Sequence, residues 1–257
     1  MSTLFDSRSA VLSIAGYDPS GGAGVLADAK TFDSLRYVGC CLISSITGQS
    51  SDSAWSVRWE PIEEIEENVR RLAQRYAFRA VKIGLIEGSE MLRRIVALLL
   101  QVAPDAFIVW DPVSRSSSGF QFHDSWQWDP ETFSRIAVVV PSVDDFDGFA
   151  GGEFGSSWED CAHRMSCLAP VCVTGIRGGS FVKNVLFQGS EVLAEFQTPF
   201  LEKVFEKHGS GCVFSAAVAV HLANGLPLES ALSEATEYVR CYLLSNSGLH
   251  GFHSHLR

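Results

Sequence analysis

The 257-residue sequence lacks several features that would fix its class at once. It has no pair of cysteines at C-x-x-C spacing, and its seven cysteines are odd in number. We therefore expect reduced thiols, with neither a disulfide framework nor a zinc site. The motif G-x-x-x-x-G-K-[ST] is also absent. A P-loop nucleotide site is therefore not predicted.

Positive charge and long apolar runs are scarce as well. Twenty Lys and Arg against 30 Asp and Glu give a formal net charge of −10, and no basic run offsets it locally. This balance disfavours binding to nucleic acid or to an anionic membrane surface. No apolar stretch has the length of a membrane span or a signal-peptide core. We therefore expect a cytoplasmic protein that acts on a small molecule.

The apolar content, 46% of the residues, is high enough for one large α/β domain over residues 1–257. Apolar runs rich in β-branched residues alternate with segments of helical period, which predicts a parallel sheet covered by helices on both faces. The predicted strands are Val11–Ala15, Cys41–Thr47, Ala80–Ile86, Ala106–Val113, Ile136–Val140 and Val171–Ile176.

Three helices and two edge elements complete this prediction. Pro61, followed by two glutamates, marks the start of one helix, and Met91–Val102 forms another. The third, Cys212–Asn224, is apolar nearly all round and should be buried. Period-two alternation in Trp55–Trp59 and Phe181–Phe196 predicts hairpin or edge strands.

The run Glu206-Lys207-His208-Gly209-Ser210-Gly211-Cys212 directly precedes that apolar helix. Glycines let a backbone approach a ligand closely, and a helix start presents free N–H groups and the positive end of its dipole. The sequence therefore predicts an anion site formed by Gly209, Ser210 and Gly211. The dipole should lower the pKa of the Cys212 thiol, so that the thiolate could accept a proton from a substrate hydroxyl. The alternative is a glycine turn that leads into a buried helix with a core cysteine.

A second motif favours the anion site. The segment Ile14–Phe32 reads IAGYDPSGGAGVLADAKTF and is followed in order by the motifs ITGQ, VKIG and WDPV and by the glycine–cysteine turn. From Val11 to about His253 the chain resembles the hydroxymethylpyrimidine and phosphomethylpyrimidine kinases of thiamine biosynthesis. The resemblance implies a ribokinase-like three-layer α/β/α fold with a mostly parallel central sheet. It also implies ATP and Mg²⁺ as cofactors, an aminopyrimidine substrate and a homodimer.

The resemblance places the pyrimidine and its alcohol near Gly16, Asp28 and Gln49. A carboxylate and a carboxamide can pair with the amino group and the ring nitrogens of an aminopyrimidine. Leu85 and Val113 then form apolar walls of the same pocket. The alternatives are a helix-surface carboxylate for Asp28 and a turn residue for Gln49.

Asp111 ends an apolar strand, where burial of an unpaired carboxylate would be costly. The resemblance places it near Mg²⁺ and the phosphates, and the alternative is a turn residue before Pro112. Lys82 lies in the middle of a predicted strand and could pair inside the protein, so no role is assigned to it.

Two turns depart from the family pattern. Where relatives have Pro-Asn-x-x-Glu, this chain has Ser142 at the asparagine position, beside the nucleotide, and the shorter Asp145 at the glutamate position, beside the metal. Where relatives have Lys-Gly-Gly-His, Arg177 takes the place of the lysine, although a planar guanidinium is not equivalent to an ammonium. Three functions stay open: a pyrimidine kinase for one or both phosphorylation steps, a pyridoxal-type kinase, and a pyrimidine-binding protein that transfers nothing.

The C-terminal histidines His250, His253 and His255 have no acidic or thiol partner at ligand spacing. We therefore predict a solvated tail here rather than a metal site.

Overall fold

The computed structural model describes residues 10–116, 118–122, 125–127, 129–149, 157–199 and 207–253. Nine strands and seven α-helices lie in these ranges. The strands are β1 (Ala10–Tyr17), β2 (Val38–Gln49), β3 (Ala54–Trp59), β4 (Phe78–Ile83), β5 (Phe107–Trp110), β6 (Val138–Val139), β7 (Val171–Gly178), β8 (Phe181–Gln188) and β9 (Glu191–Pro199). The helices are α1 (Gly24–Ser34), α2 (Ile62–Ala73), α3 (Ser89–Val102), α4 (Pro130–Phe133), α5 (Trp158–Met165), α6 (Ser210–Ala223) and α7 (Leu228–Leu244), with a 3₁₀ helix at Val143–Phe149.

All nine strands form one sheet in the order β3-β2-β1-β4-β5-β6-β7-β8-β9. The six from β2 to β7 are mutually parallel, whereas β3 at one end and β8 and β9 at the other run antiparallel to their neighbours. The chain leaves β1 towards β2 on one side and later returns to β4 on the other. The carboxyl end of β1 is therefore a topological switch point, where open α/β sheets form ligand sites.

Helices cover both faces of the sheet and separate two apolar cores. On one face α2, α3 and α5 pack around Trp110, Ile95 and Leu99. On the other, α1, α6 and α7 pack around Phe32 and Val218. The three layers agree with the predicted fold class. None of the helices in the described residues is long and apolar enough to cross a bilayer.

The predicted elements are present, although their ends differ. The alternating stretches are confirmed as the edge strand β3 and the hairpin β8–β9. The helix predicted at Cys212–Asn224 begins two residues earlier, at Ser210, and is buried along most of its length. The predicted strand Ile136–Val140 contracts to the two residues of β6.

Candidate active site

The loop between β1 and α1 is organised by one buried carboxylate. Asp18 accepts hydrogen bonds from the Ser20 N–H at 2.8 Å, the Ser20 hydroxyl at 2.8 Å, the Gly22 N–H at 3.1 Å and the Ala23 N–H at 2.8 Å. It also pairs with His208 Nε2 at 2.8 Å. Burial would raise the pKa of Asp18, but the bonds from His208, Ser20 and Ala23 outweigh it and lower that pKa. Asp18 therefore ties its own loop to the residue that precedes the glycine turn.

Two glycines allow this loop to touch its neighbours. Gly209 has a φ of 77°, and a Cβ on it would lie 2.0 Å from the carbonyl oxygen of Gly22. Gly24 has a φ of 58°, and a Cβ there would lie 2.0 Å from the carbonyl oxygen of Gly16. Any side chain at either position would separate the backbones. The start of α6 is thus held against the loop after β1 at backbone contact distance.

The predicted anion site lies at this start of α6. Gly209 is its N-cap in the left-handed conformation, and no acidic side chain occupies the first turn. Gly211 is exposed, and a Cβ on it would meet nothing within 4 Å. The N–H groups of Ser210 and Gly211 thus belong to a helix start that faces open space, the arrangement that binds anions.

A buried charge cluster lies under this turn. Lys82 and Asp28 are both fully buried and pair at 3.0 Å, while Asp28 also accepts the Ser13 hydroxyl at 2.6 Å. Lys82 lies 3.8 Å from Asp111, which accepts the Ser215 hydroxyl at 2.8 Å. The internal pairing suggested for Lys82 is confirmed. The helix-surface alternative for Asp28 is wrong, because its carboxylate points into the core.

Two carboxylates share one ammonium in this cluster. Burial raises the pKa of Asp28 and of Asp111, although Lys82 acts in the opposite direction on each. Burial would lower the pKa of Lys82, but the attraction of Asp28, Cys212 and Asp111 raises it. The cluster thus holds two carboxyl groups for one ammonium, and a bound cation would favour the ionised form of both carboxyl groups.

Cys212 lies beside the cluster, and its pKa differs from the sequence-based expectation. Burial raises the pKa of the thiol to about 12; Asp111 and Asp28 add to this, while Lys82 and a hydrogen bond from the Gly24 N–H oppose it. The prediction of a lowered pKa was therefore wrong. The helix dipole acts on Cys212, but two nearby carboxylates and desolvation favour the neutral thiol. The proposed proton acceptor is a thiol in the ligand-free protein.

Asp145 lies next to this cluster, in the 3₁₀ helix after β6. One oxygen accepts the Ser142 N–H at 2.8 Å and the Ser142 hydroxyl at 2.6 Å, and the other accepts the Ser114 N–H at 3.3 Å. Burial raises the pKa of Asp145 to about 6, and Asp111 adds to this. Ser142 therefore holds the carboxylate, and its own contact with a nucleotide stays a prediction.

The two carboxylates suit a magnesium ion that keeps several waters. No three His, Cys, Asp or Glu side chains converge on one point within the described ranges. Asp111 is nevertheless close enough to Asp145 to raise the pKa of the Asp145 carboxyl. Mg²⁺ in nucleotide enzymes is commonly held by one or two carboxylates together with substrate phosphates. These residues thus fit the ion, which would relieve their repulsion.

The residues predicted to line the substrate pocket lie at the same edge of the sheet. Gly16 and Gln49 are at the carboxyl ends of β1 and β2, and Leu85 follows β4. A Cβ on Gly16 would approach Leu85 to 3.1 Å, so these two pack directly together. Val113 lies two residues after Asp111, and its N–H donates to the Asp111 carbonyl at 2.8 Å. Their direct contact with a ligand stays a prediction.

Arg177 lies farther along the sheet, near the end of β7. Thr174, three residues before Arg177 in the same strand, forms an isolated bridge with Ser142, which places the middle of β7 beside the 3₁₀ turn. Arg177 itself is exposed in the β7–β8 hairpin. A role for it in nucleotide binding stays a prediction.

Several structural roles were not predicted from the sequence. Asp18 and His208 join two loops, and Ser215 holds Asp111. Among the residues of the charge cluster, Lys82 gave a signal in the sequence: a lysine within an apolar strand is expected to be buried, and a buried ammonium needs partners. The pairing of Asp18 with His208 joins residues 190 apart in sequence and has no local signal.

The prediction of a solvated C-terminal tail was wrong for His253. Its ring lies 4.9 Å from that of Tyr242, and its Nδ1 lies 3.1 Å from the Tyr238 hydroxyl. Burial lowers the pKa of His253 to about 4. His250 is exposed, and His255 lies outside the described residues.

Solved structures define the class of this fold. The pyridoxal kinase from Staphylococcus aureus in complex with pyridoxal superposes with a TM-score of 0.75 at 23% identity, covering 96% of this chain and 92% of that chain. Phosphomethylpyrimidine kinase from Clostridium difficile gives a TM-score of 0.69 at 23% identity, covering 91% of this chain and 98% of that chain. The molecule therefore has the ribokinase-like α/β/α fold predicted from the sequence.

Sequence comparison then gives the family. The phosphomethylpyrimidine kinase profile matches residues 18–255. The hydroxymethylpyrimidine/phosphomethylpyrimidine kinase of Aquifex aeolicus is 29% identical over 239 residues, covering 89% of this chain and 91% of that protein. The enzyme of the same description from Streptomyces coelicolor is 30% identical over 240 residues, with coverages of 89% and 86%. The chain belongs to the phosphomethylpyrimidine kinase family.

Proposed function

We propose that this protein phosphorylates hydroxymethylpyrimidine, its monophosphate, or both, with ATP as the phosphoryl donor. The observation that carries the proposal is the position of Cys212: it lies in the first turn of an open anion-binding helix start and directly beside the buried charge of Lys82, Asp28 and Asp111. A proton acceptor, backbone donors and an acidic cation site are thereby brought together in a chain of this kinase family.

The protein's own groups divide the work of phosphoryl transfer, which mainly requires alignment and charge stabilisation. The N–H groups of Ser210 and Gly211 stabilise charge that develops on the moving phosphoryl oxygens. Cys212, in its thiolate form, accepts the proton of the attacking alcohol. Lys82 is too buried to meet the substrate and instead keeps Asp28 and Asp111 in place.

Mg²⁺, held by Asp111 and Asp145, would supply positive charge next to the phosphates. Burial and the neighbouring carboxylates Asp111 and Asp28 hold the Cys212 proton in the free protein, so the thiol has to ionise before it can serve as the base.

Gln49 is the second polar residue of the proposed pyrimidine pocket, and it is 9% exposed. Asp28 has 0% exposure and is already paired with Lys82, so its direct contact with the pyrimidine requires that pair to open on ligand binding. Gly16, Leu85 and Val113 supply close approach and apolar walls.

A homodimer, a single domain over residues 1–257 and a cytoplasmic location remain predictions from the sequence.

An ADP-release assay with Mg²⁺-ATP tests this function and its two alternatives together. Separate reactions contain hydroxymethylpyrimidine, its monophosphate or pyridoxal. We expect ADP release that depends on one or both pyrimidines. ADP release with pyridoxal but with neither pyrimidine would favour a pyridoxal-type kinase. Calorimetric binding of the pyrimidine without any release would indicate a binding protein.

A further inference from the structure

A short turn near the C-terminus, residues 246–250, binds the side chain of Lys207, which lies just before the predicted anion site. Lys207 is 6% exposed, and its ammonium donates to the Asn246 carbonyl at 2.6 Å, to Asn246 Oδ1 at 2.9 Å and to the Gly248 carbonyl. Three oxygens from one turn thus converge on a single lysine. Because a buried ammonium without acceptors would be costly, these three oxygens favour this one position of the Lys207 side chain.

The next residue, His208, is held from both sides. Its backbone N–H donates to the Leu249 carbonyl at 2.9 Å, and its carbonyl accepts the Tyr242 hydroxyl at 3.4 Å. Its ring pairs with Asp18 at 2.8 Å. His208 therefore connects the C-terminal turn to the loop after β1. Gly209 follows immediately and begins the helix start that faces the site.

The C-terminal turn is itself well braced. Asn246 Oδ1 accepts the Gly248 N–H at 2.7 Å, and Asn246 Nδ2 donates to the His250 carbonyl at 2.9 Å. The hydroxyl of Ser245 accepts the Phe252 N–H at 2.7 Å. The turn can therefore hold Lys207 in one position.

We infer that the C-terminal turn, through Lys207 and His208, positions the N–H groups of Ser210 and Gly211 for phosphoryl transfer. Lys207 is thus a positioning residue, and the inference rests on the proposed function. Side chains on both sides fix residue 208, so the direction in which the following N–H groups point depends on these contacts. A shift of about 1 Å in a catalytic group can reduce a rate by roughly 100-fold.

The test compares Lys207→Met with the wild type and with Lys183→Met. The control removes a lysine of similar size from a surface pair with Glu195 at 2.6 Å on the distant β8–β9 hairpin. In Lys207→Met we expect kcat to fall roughly 10- to 100-fold while KM for the pyrimidine stays within about twofold, because the lost interaction matters in the transition state. Lys183→Met should match the wild type in both constants.

Hydrogen exchange supplies a readout that does not depend on activity. The amides of His208 and Val213, which donate to the carbonyls of Leu249 and Gly209, should exchange at least about tenfold faster in Lys207→Met, with little change in the strands. If the wild type transfers no phosphoryl, the proposed function fails, yet this arm still shows whether Lys207 holds the turn. Unchanged exchange, or faster exchange with the kcat of the control, overturns the inference. If Lys207→Met does not fold, the same measurements are made on Asn246→Ala. This variant removes one acceptor of Lys207 and the hydrogen bond to the His250 carbonyl.

Discussion

At the scale of single residues, the surroundings of Cys212 decide its chemistry. A cysteine at a helix start suggested a thiolate, but the structure adds buried Asp28 and Asp111, which the local sequence does not reveal. Burial, together with these two side chains, raises the pKa of the thiol to about 12. The residue type and its position could be predicted from the sequence, whereas its protonation state could not.

Replacement of Cys212 tests its role as proton acceptor. Cys212→Ala should lower kcat by roughly 10²- to 10⁴-fold and leave pyrimidine affinity near that of the wild type, because proton transfer matters mainly in the transition state. Steady-state kinetics with calorimetry, on protein shown by thermal melting to be folded, provides the measurement. Near-full turnover of the alanine variant would leave catalysis to the backbone N–H groups.

Asp145 should give the magnesium requirement a pH dependence. Its carboxylate has a raised pKa of about 6, so protonation as the pH falls through this value removes a ligand charge. The magnesium concentration for half-maximal activity should therefore increase severalfold between about pH 7 and about pH 5. Asp145→Asn has no charge to titrate and is the matched control. Identical pH profiles for both proteins would contradict the assignment.

The buried pair of Lys82 and Asp28 should dominate local stability. Lys82→Met leaves Asp28 and Asp111 without their counter-charge, and a broken buried pair typically costs about 3–5 kcal/mol. Urea unfolding should show this loss, and Lys82→Met combined with Asp28→Asn should recover part of it. Lys183→Met, which breaks an exposed pair, should cost less than about 1 kcal/mol. Equal effects of the two lysine substitutions would refute this account of the cluster.

At the scale of elements, two glycines of the same turn should behave differently. Gly209→Ala forces a positive φ and a clash with the Gly22 carbonyl, so we expect a loss of about 1–3 kcal/mol or more in stability. Gly211→Ala has free space and should melt within a few degrees of the wild type. Its methyl group would nevertheless stand where the phosphoryl passes, so kcat should fall at least about tenfold. A fully active Gly211→Ala variant would place the phosphoryl elsewhere.

The centres of elements were more predictable than their ends. Apolar runs located the parallel strands because both faces of the sheet are covered. The ends depend on tertiary neighbours: β2 continues to Gln49 because β3 pairs with it there, while β6 is short because it pairs with β7 through one residue. The C-terminal turn gave no periodic signal, since its contacts with Lys207 are long-range.

At the scale of the whole molecule, the sheet order brings the site together. Residues from the ends of β1, β2, β4 and β5 and from the start of α6 meet at one carboxyl edge. The motifs could therefore be assigned to one site from the sequence. Their connections, such as that of Asp18 with His208, depend on how α6 packs across the sheet and required the structure.

The most direct test of the central claim follows the γ-phosphorus of ATP by ³¹P NMR. The protein is incubated with Mg²⁺-ATP and hydroxymethylpyrimidine, with Cys212→Ala as the comparison. We predict that the phosphorus appears as the pyrimidine monophosphate ester, and as the diphosphate if both steps occur, with the alanine variant far slower. If the γ-phosphorus stays in ATP or appears only as inorganic phosphate while the pyrimidine is bound, the turn at Gly209–Cys212 does not transfer phosphoryl to this substrate.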